Sequence, residues 1–309
     1  MVTYLRVRVA VVLLVFAACG VDAPEGGDGK NLPDGELGVD GVAPSGSTSL
    51  ADVIAWIDAQ TSLRAPGTDL SITIEDLQTG THVSLRGNTK HVSASSAKAW
   101  WVAAALDGVG VAPVEPYAPP IFRYSDNSAS GDVIDLIGPN AVNTWMWDVA
   151  GMNDSALTQW NYDTTRVATN SPRAMGGDNY MTSDDAVRFL ARVYRKEILA
   201  DERGDKLLEW MTLSPNSGLG GWIPARLPGD AATTAMHKAG YLPPGCCSSD
   251  SYYNTSNDIG IVETPYGRAF AIAILARRGT DYAAQNEWIE LSSCLLYRAF
   301  AHDDELVCE

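Results

Sequence analysis

Strand-forming segments lie near both ends of the folded part of this chain, and helical patterns fill the stretch between them. Residues 69–77 alternate, with Leu70, Ile72 and Ile74 on one side, as a half-buried strand does. Thr79-Gly80 supplies a turn, and residues 81–85 return as a partner strand, so the short connection makes an antiparallel hairpin. Far downstream, residues 258–263 and 268–276 form a second strand pair around Pro265-Tyr266-Gly267. A sheet assembled from both ends of a chain leaves the middle as an insertion. The fold class expected is therefore α+β: one antiparallel sheet built from both termini, flanking helices in an α/β sandwich, and an inserted all-helical lobe.

The helical segments supply that lobe and the flanks. Leu50, Val53, Ile54 and Ile57 share a face over residues 50–60. Residues 95–106 read as an Ala/Trp-rich helix, and 132–148 as one or two helices interrupted at Gly138-Pro139. Residues 183–194 are amphipathic, with Ser183 placed as the N-cap. Residues 206–211 and 286–301 complete the set, while Pro113, Pro116, Pro119 and Pro120 predict a loop over 110–122. Residues 233–237 read as an edge strand.

The first 48 residues do not belong to this core. Arg6 and Arg8 precede a short apolar run over residues 9–16, then Ala17-Ala18-Cys19-Gly20. A charged start, a short apolar stretch and small residues mark an export signal, and the run is too short to cross a bilayer as a helix. The cysteine directly after Ala-Ala predicts a lipoprotein signal over residues 1–18, with Cys19 as the lipidated residue; an ordinary secretory signal containing a cysteine is the plainer alternative. Residues 20–48 are rich in Gly, Asp and Pro and cannot bury enough surface to fold. They are expected to tether a single domain over 49–309, anchored in the cell envelope through the lipid alone.

A net charge of −16 excludes a nucleic-acid surface as the default reading. A monomer is expected. Cys246, Cys247, Cys294 and Cys308 remain besides Cys19, and an even set in an exported chain points to disulfides. Three pairings are open, although adjacent Cys246 and Cys247 are poor partners for each other. Neither a metal-ligand spacing nor a cofactor motif is present.

Three short strings carry the chemistry. Ser95-Ser96-Ala97-Lys98 places a hydroxyl and an amine three apart, one above the other on a helix. Such an amine activates a serine if its surroundings keep it neutral. Taken alone the spacing arises by chance, an exposed serine beside a solvated lysine, but Ala94 and the apolar run 99–106 put this lysine on a buried helix. Ser125-Asp126-Asn127 is rarer, and its plain reading is an Asx turn capping a helix. Lys238-Ala239-Gly240 by itself is an ordinary strand. Order gives these strings their weight.

In that order, S-x-x-K, S-D-N and K-x-G resemble the active-site set of the penicillin-recognising serine hydrolases, and the chain resembles the class A β-lactamases over roughly residues 50–302. Leu208-Glu209-Trp210-Met211 and Arg226-Leu227-Pro228 match text that leads into the third motif in that family. The resemblance implies Ser95 as nucleophile, Lys98 as its base, and Ser125 as proton relay to the leaving nitrogen. It implies Asn127 as a ligand of substrate and lysine, Lys238 as electrostatic support for Ser125, and Gly240 as room for the substrate backbone. The amides of Ser95 and Tyr241 would form the oxyanion hole. Asp126 would hold the turn. Trp100 and Trp101 are expected to fill core rather than stack on a ligand.

The chain also departs from the family. Ala239 stands where a threonine hydroxyl would help bind a substrate carboxylate. In the loop over residues 151–165, Trp160 registers before the family's deacylating glutamate, so Asn161 takes its place, and an amide cannot accept a proton at neutral pH. Asp154 and Asp163 are the nearby substitutes, each more simply a solvated carboxylate. Ser95 and Ser125 lie thirty residues apart, about half the family separation, so the helical lobe is shortened. The resemblance implies a serine hydrolase acting on a β-lactam or related amide or ester through an acyl-enzyme with impaired deacylation. A D-alanyl-D-alanine peptidase-like or esterase activity, and a non-turnover penicillin- or cell-wall-binding lipoprotein, stay open as alternatives.

Overall fold

The computed structural model describes residues 43–160, 163–172, 178–244 and 254–308. Cys19, Asn161, Cys246 and Cys247 lie outside the described residues, as do residues 1–42, on which the signal and most of the tether were placed. Residues 42–309 form one compact unit.

Ser49 caps helix α1 (Leu50–Arg64) by accepting from the Asp52 amide, and Val53, Ile54 and Ile57 are its buried face. Strands β1 (Asp69–Asp76) and β2 (His82–Leu85) make the expected antiparallel hairpin, and β3 (His91–Val92) leads into a tight 3₁₀ turn over Ala94–Ala97. Helix α2 (Lys98–Val109) follows. Then come α3 (Val111–Val114), α4 (Ala118–Tyr124), α5 (Asn127–Asp135) and α6 (Pro139–Trp145), the last continuing as a wider turn over Met146–Ala150. A small ribbon pairs β4 (Gln159–Trp160) with β5 (Asp163–Val167), and β6 (Tyr180–Met181) pairs with β3. Helices α7 (Ser183–Tyr194), α8 (Glu202–Met211) and α9 (Gly229–Thr234) precede β7 (Met236–Leu242), β8 (Thr255–Glu263), β9 (Ala269–Arg277) and the closing helix α10 (Tyr282–Ala301).

The five main strands lie in the order β2-β1-β9-β8-β7, all antiparallel. Strand β9 pairs with β1, as joining the two chain ends requires. Its alternation is complete: Ala269, Ala271, Ala273 and Leu275 enter the apolar cluster shared with α2 and α7, while Phe270, Ile272, Ile274 and Ala276 enter the one shared with α1 and α10. Strand β9 is thus buried on both faces, with alanines mainly toward α7 and larger residues toward α1 and α10.

Three sequence expectations change. The proline-bearing stretch 110–122 is largely helical, because Pro119 and Pro120 fall in the first turn of α4, where their missing N–H groups are not needed. Thr182, not Ser183, caps α7 by accepting from the Asp185 amide. The lead into Lys238 is helix through Thr234, and the strand begins only at Met236.

Cys294 pairs with Cys308, which selects among the pairings the sequence left open. Beside the bridge, the C-terminal segment grips the start of the domain. Arg298 donates to the Pro44 carbonyl, and the Asp304 carboxylate accepts from the Gly46 amide. Among the described residues, no helix is long and apolar enough to cross a membrane, and no cluster of potential metal ligands occurs.

Candidate active site

Strand β3 delivers the chain to the 3₁₀ turn that carries Ser95, and several side chains brace that turn. The Asn257 amide on β8 donates to the carbonyls of Val92 and Ser93, at 2.7 and 3.3 Å. Ser96 Oγ donates to the Ser93 carbonyl, and the Ser93 amide donates to the Asn179 carbonyl. Ala94 sits at φ 47°, a left-handed conformation that costs a non-glycine residue about 1–2 kcal/mol. Ser95, which follows it, is half-buried. Strain held in place just before a reactive residue fits a site whose surroundings over-determine its backbone.

Lys98 opens α2, whose residues are buried from Lys98 through Leu106. Its side chain is 1% exposed. The spacing to Ser95 is as read from the sequence, but the two side chains share no hydrogen bond among the described residues. Lys98 Nζ turns to the second motif instead. It lies 2.5 Å from the Ser125 carbonyl, 3.1 Å from Ser125 Oγ and 2.7 Å from Asn127 Oδ1. Burial, and then the nearby Lys238 charge, hold its ammonium well below the ordinary lysine range.

Ser125 ends α4 in a left-handed conformation at φ 54°, which turns the chain sharply before α5. Asp126 caps α5, accepting from the Ala129 amide at 2.9 Å, so it holds the turn as expected. Ser125 Oγ also receives Lys238 Nζ at 3.2 Å, and Lys238 donates to the Ala239 carbonyl at 2.7 Å. Burial pushes Lys238 down to about 8, against the pull of Asp258. Ser95, Lys98, Ser125, Asn127 and Lys238 therefore converge from a turn, a helix, a helix–helix corner and an edge strand. The two amines are buried beneath; Ser95 and Ser125 are half-buried and Asn127 is exposed.

Gly240 explains why the third motif needs a glycine. A Cβ there would stand 2.5 Å from the Ser95 nitrogen and 2.3 Å from the Ser96 nitrogen. The edge strand thus lies directly against the turn that carries Ser95. Tyr241 follows, 37% exposed and edge-on to Trp222 at 6.2 Å. Ala239 points into the apolar cluster that contains Trp222 and Ile223 and is buried there.

Trp160 is brought to the site. Its ring lies 5.9 Å from Lys98 Nζ and 5.5 Å, edge-on, from Trp101. Asn143 and Asn179 pin the backbone before it: the Asn143 side chain bonds both the amide and the carbonyl of Leu157, and Asn179 Oδ1 accepts from the Thr158 and Gln159 amides. Trp160 then pairs with Asp163 across a two-stranded ribbon, between which Asn161 stands in sequence. Asp154 is an exposed carboxylate 4.0 Å from Lys90. Trp100 and Trp101 are buried in the core.

Sequence reasoning missed the supports on β8. Asn257 and Asp258 are two fully buried polar residues in a strand whose neighbours Ile259, Ile261 and Val262 are core. Polar residues at core positions of a strand are the signal that could have found them.

Residues 121–300 match the sequence model of the β-lactamase enzyme family, designated Beta-lactamase2. The match begins after Ser95 and Lys98 and spans more than half of the chain. No curated protein sequence matches. Among solved structures, PBP-A is 21% identical with a TM-score of 0.64, over 84% of this chain and 99% of that one. A β-lactamase from Chitinophaga pinensis is 17% identical with a TM-score of 0.64, over 81% and 99%. An ancestral Gram-negative class A β-lactamase is 18% identical with a TM-score of 0.63, over 82% and 100%. At such identities the likeness establishes the fold.

Proposed function

The chain belongs to the β-lactamase enzyme family and is a serine hydrolase of that fold, and we propose that it reacts with a β-lactam, or a related amide or ester, to form an acyl-enzyme on Ser95 that is hydrolysed slowly. The observation that carries this reading is the meeting of two buried amines on one hydroxyl, Ser125 Oγ.

A buried lysine held below its ordinary range is a neutral amine for part of the time. A neutral amine has two hydrogens, which the Ser125 carbonyl and Asn127 Oδ1 take up. Its lone pair is then free to accept from a hydroxyl. Ser95 Oγ attacks the substrate carbonyl carbon as its proton passes to Lys98, directly or through Ser125. The carbonyl π electrons move onto oxygen, where the backbone amides of Ser95 and Tyr241 are the donors assigned to it. Collapse breaks the bond from carbon to the leaving nitrogen or oxygen. That atom takes the Ser125 proton, and the Lys98 ammonium returns one to Ser125. Lys238 favours this exchange by donating to Ser125 Oγ throughout.

The ester on Ser95 still needs a base to activate water. Asn161 occupies the place assigned to that base and cannot accept a proton, so the adduct persists. PBP-A has been solved, as a variant, in an acyl-enzyme complex with penicillin G, which supports penicillin as the first probe. Intact mass after benzylpenicillin should show an adduct on the wild type and none on Ser95→Ala. Asn161→Glu should shorten the adduct's life, because a positioned base is worth about 10²–10⁴-fold. Rapid return of the wild type to free mass would show that deacylation is unimpaired, and Asp163→Asn would then test the other carboxylate.

Export through the signal at residues 1–18 and anchoring through Cys19 belong to the same proposal. The Cys294–Cys308 bridge supports it, because such bonds persist in oxidising compartments. The protein should fractionate with membranes, and Cys19→Ser should release it or block processing.

A further inference from the structure

Trp160 stands beside Lys98, and the reaction described above gives it no role. The hydrogen-bond acceptors of the Lys98 amine all belong to the α4–α5 corner: the Ser125 carbonyl, Ser125 Oγ and Asn127 Oδ1. The Trp160 ring, 5.9 Å from Nζ, comes from the β4–β5 ribbon instead. Trp160 is 8% exposed and Lys98 1%, so the indole meets solvent where the amine does not. The fold gives up some stability to seat this ring. Gly131 lies inside α5, where a glycine weakens a helix relative to alanine. A Cβ there would stand 2.8 Å from Trp160 Nε1, so the missing side chain is the room the indole occupies. The ribbon is fixed to the same helix by Arg166, which donates to both carboxylate oxygens of Asp135 at 2.7 to 3.0 Å. Trp101, edge-on at 5.5 Å, backs the indole from α2.

We propose that Trp160 is a positioning residue for Lys98: its indole, seated against Gly131, keeps water off the amine, so that Lys98 is held by Ser125 and Asn127 alone and can shed its proton. Two effects of a ring beside an amine compete. The π face attracts an ammonium, but at 5.9 Å it acts from the outer edge of its range. Excluding water disfavours the ammonium, and on a group this buried that is the larger effect. The charged groups that act on Lys98 are Lys238 from β7, which opposes its protonation, and Asp126 from the start of α5, which favours it. Arg166, on the ribbon, is paired with Asp135. Removing the ring alters none of these charges, so hydration decides the sign.

The proposal rests on the catalytic reading for its purpose, but its first readout does not. The chain has six lysines, so ¹³C-labelled lysine ε-carbons give a short spectrum, with Lys98 assigned by its loss in Lys98→Arg. In the whole protein, Trp160→Ala should raise the Lys98 midpoint, and Trp160→Phe should stay close to the wild type. Gly131→Ala keeps the tryptophan and favours the helix, and it should raise the midpoint too, by pushing the indole off its seat. On the acid limb, where penicillin acylation follows the fraction of neutral amine, Trp160→Ala should be slower by roughly threefold to tenfold. That deficit should shrink as pH rises, whereas a merely damaged fold would lose activity at every pH. An unchanged Lys98 midpoint in whichever of Trp160→Ala and Gly131→Ala folds makes Trp160 core filling and overturns the proposal. A lowered midpoint overturns it as well, since the π face would then outweigh the excluded water. If the midpoint rises as expected but no β-lactam acylates Ser95, the catalytic reading fails and the positioning of Lys98 stands.

Discussion

At the scale of single residues, the site is two lysines whose burial gives them opposite tasks. In the proposed reaction Lys98 must be neutral to accept a proton, and Lys238 must be charged to donate. Both are held below the ordinary lysine value by burial. Acylation should therefore rise with pH as Lys98 loses its proton and fall as pH passes about 8, where Lys238 loses its own. Above that point the loss should approach roughly tenfold per unit. Stability should move the other way. Lys238 titrates near 8 when folded and near 10.5 when unfolded, so the unfolded chain binds more protons in that window and stability rises with pH across it. Stopped-flow acylation and thermal melts across pH 7–10 would check both. Activity falling while the melting temperature holds or climbs marks the titration of a site lysine; activity and melting falling together would count against it.

At the scale of elements, the critical contact is between strand β7 and the turn that carries Ser95. Gly240 lies against the amides of Ser95 and Ser96. A methyl there has backbone rather than a flexible side chain to displace, so Gly240→Ala must move the edge strand. Acylation should drop at least tenfold, about 1.4 kcal/mol of barrier, with little change in melting temperature, because an edge strand shifts at lower cost than a central one. Penicillin-labelling rates set against a melt would show it. This contact also marks where sequence reading stopped. Motif order picked out Ser95, Lys98, Ser125, Asn127 and Lys238, and the fold brings Lys98, Ser125, Asn127 and Lys238 into one hydrogen-bonded cluster. Alternation found β1, and the Pro265-Tyr266-Gly267 turn found β8 and β9. The helices at 111–124 were missed because four prolines outweighed a weak apolar period, and sequence does not show which prolines fall in a first turn. Nor could spacing show that Lys98 bonds Ser125 and Asn127 rather than Ser95, as that depends on how α4 and α5 meet α2. Gly240 was read as room for substrate, and its closeness to the turn is a long-range contact with no local pattern.

At the scale of the molecule, the sheet joins residues from both ends of the domain, so its closure depends on holding those ends together. Strand β9 beside β1 does most of this. The C-terminal segment adds a second closure outside the sheet. The Cys294–Cys308 bridge ties the tail back to α10, and from there Arg298 and Asp304 hold Pro44 and Gly46. Gly46 fits so closely that a Cβ would stand 2.8 Å from the Asp303 backbone. Closing a loop with a sequence separation of 14 removes unfolded-state freedom worth about 3 kcal/mol. Opening the bridge should therefore lower the melting temperature by roughly 5–10 °C in a domain of this size. The Ser95 turn, Lys98 on α2, Ser125 at the α4–α5 corner and Lys238 on β7 sit elsewhere in the fold, so acylation at 25 °C should be unchanged. Cys308→Ser gives the measurement without a reductant acting on Cys246 or Cys247. A lower melting temperature with intact penicillin labelling is the expected outcome. Equal melting of variant and wild type would mean that the hydrogen bonds to Pro44 and Gly46 hold the domain's first residues without the bridge. Loss of labelling together with melting would mean that the two ends of the sheet are coupled to the catalytic strand through β8 and β9.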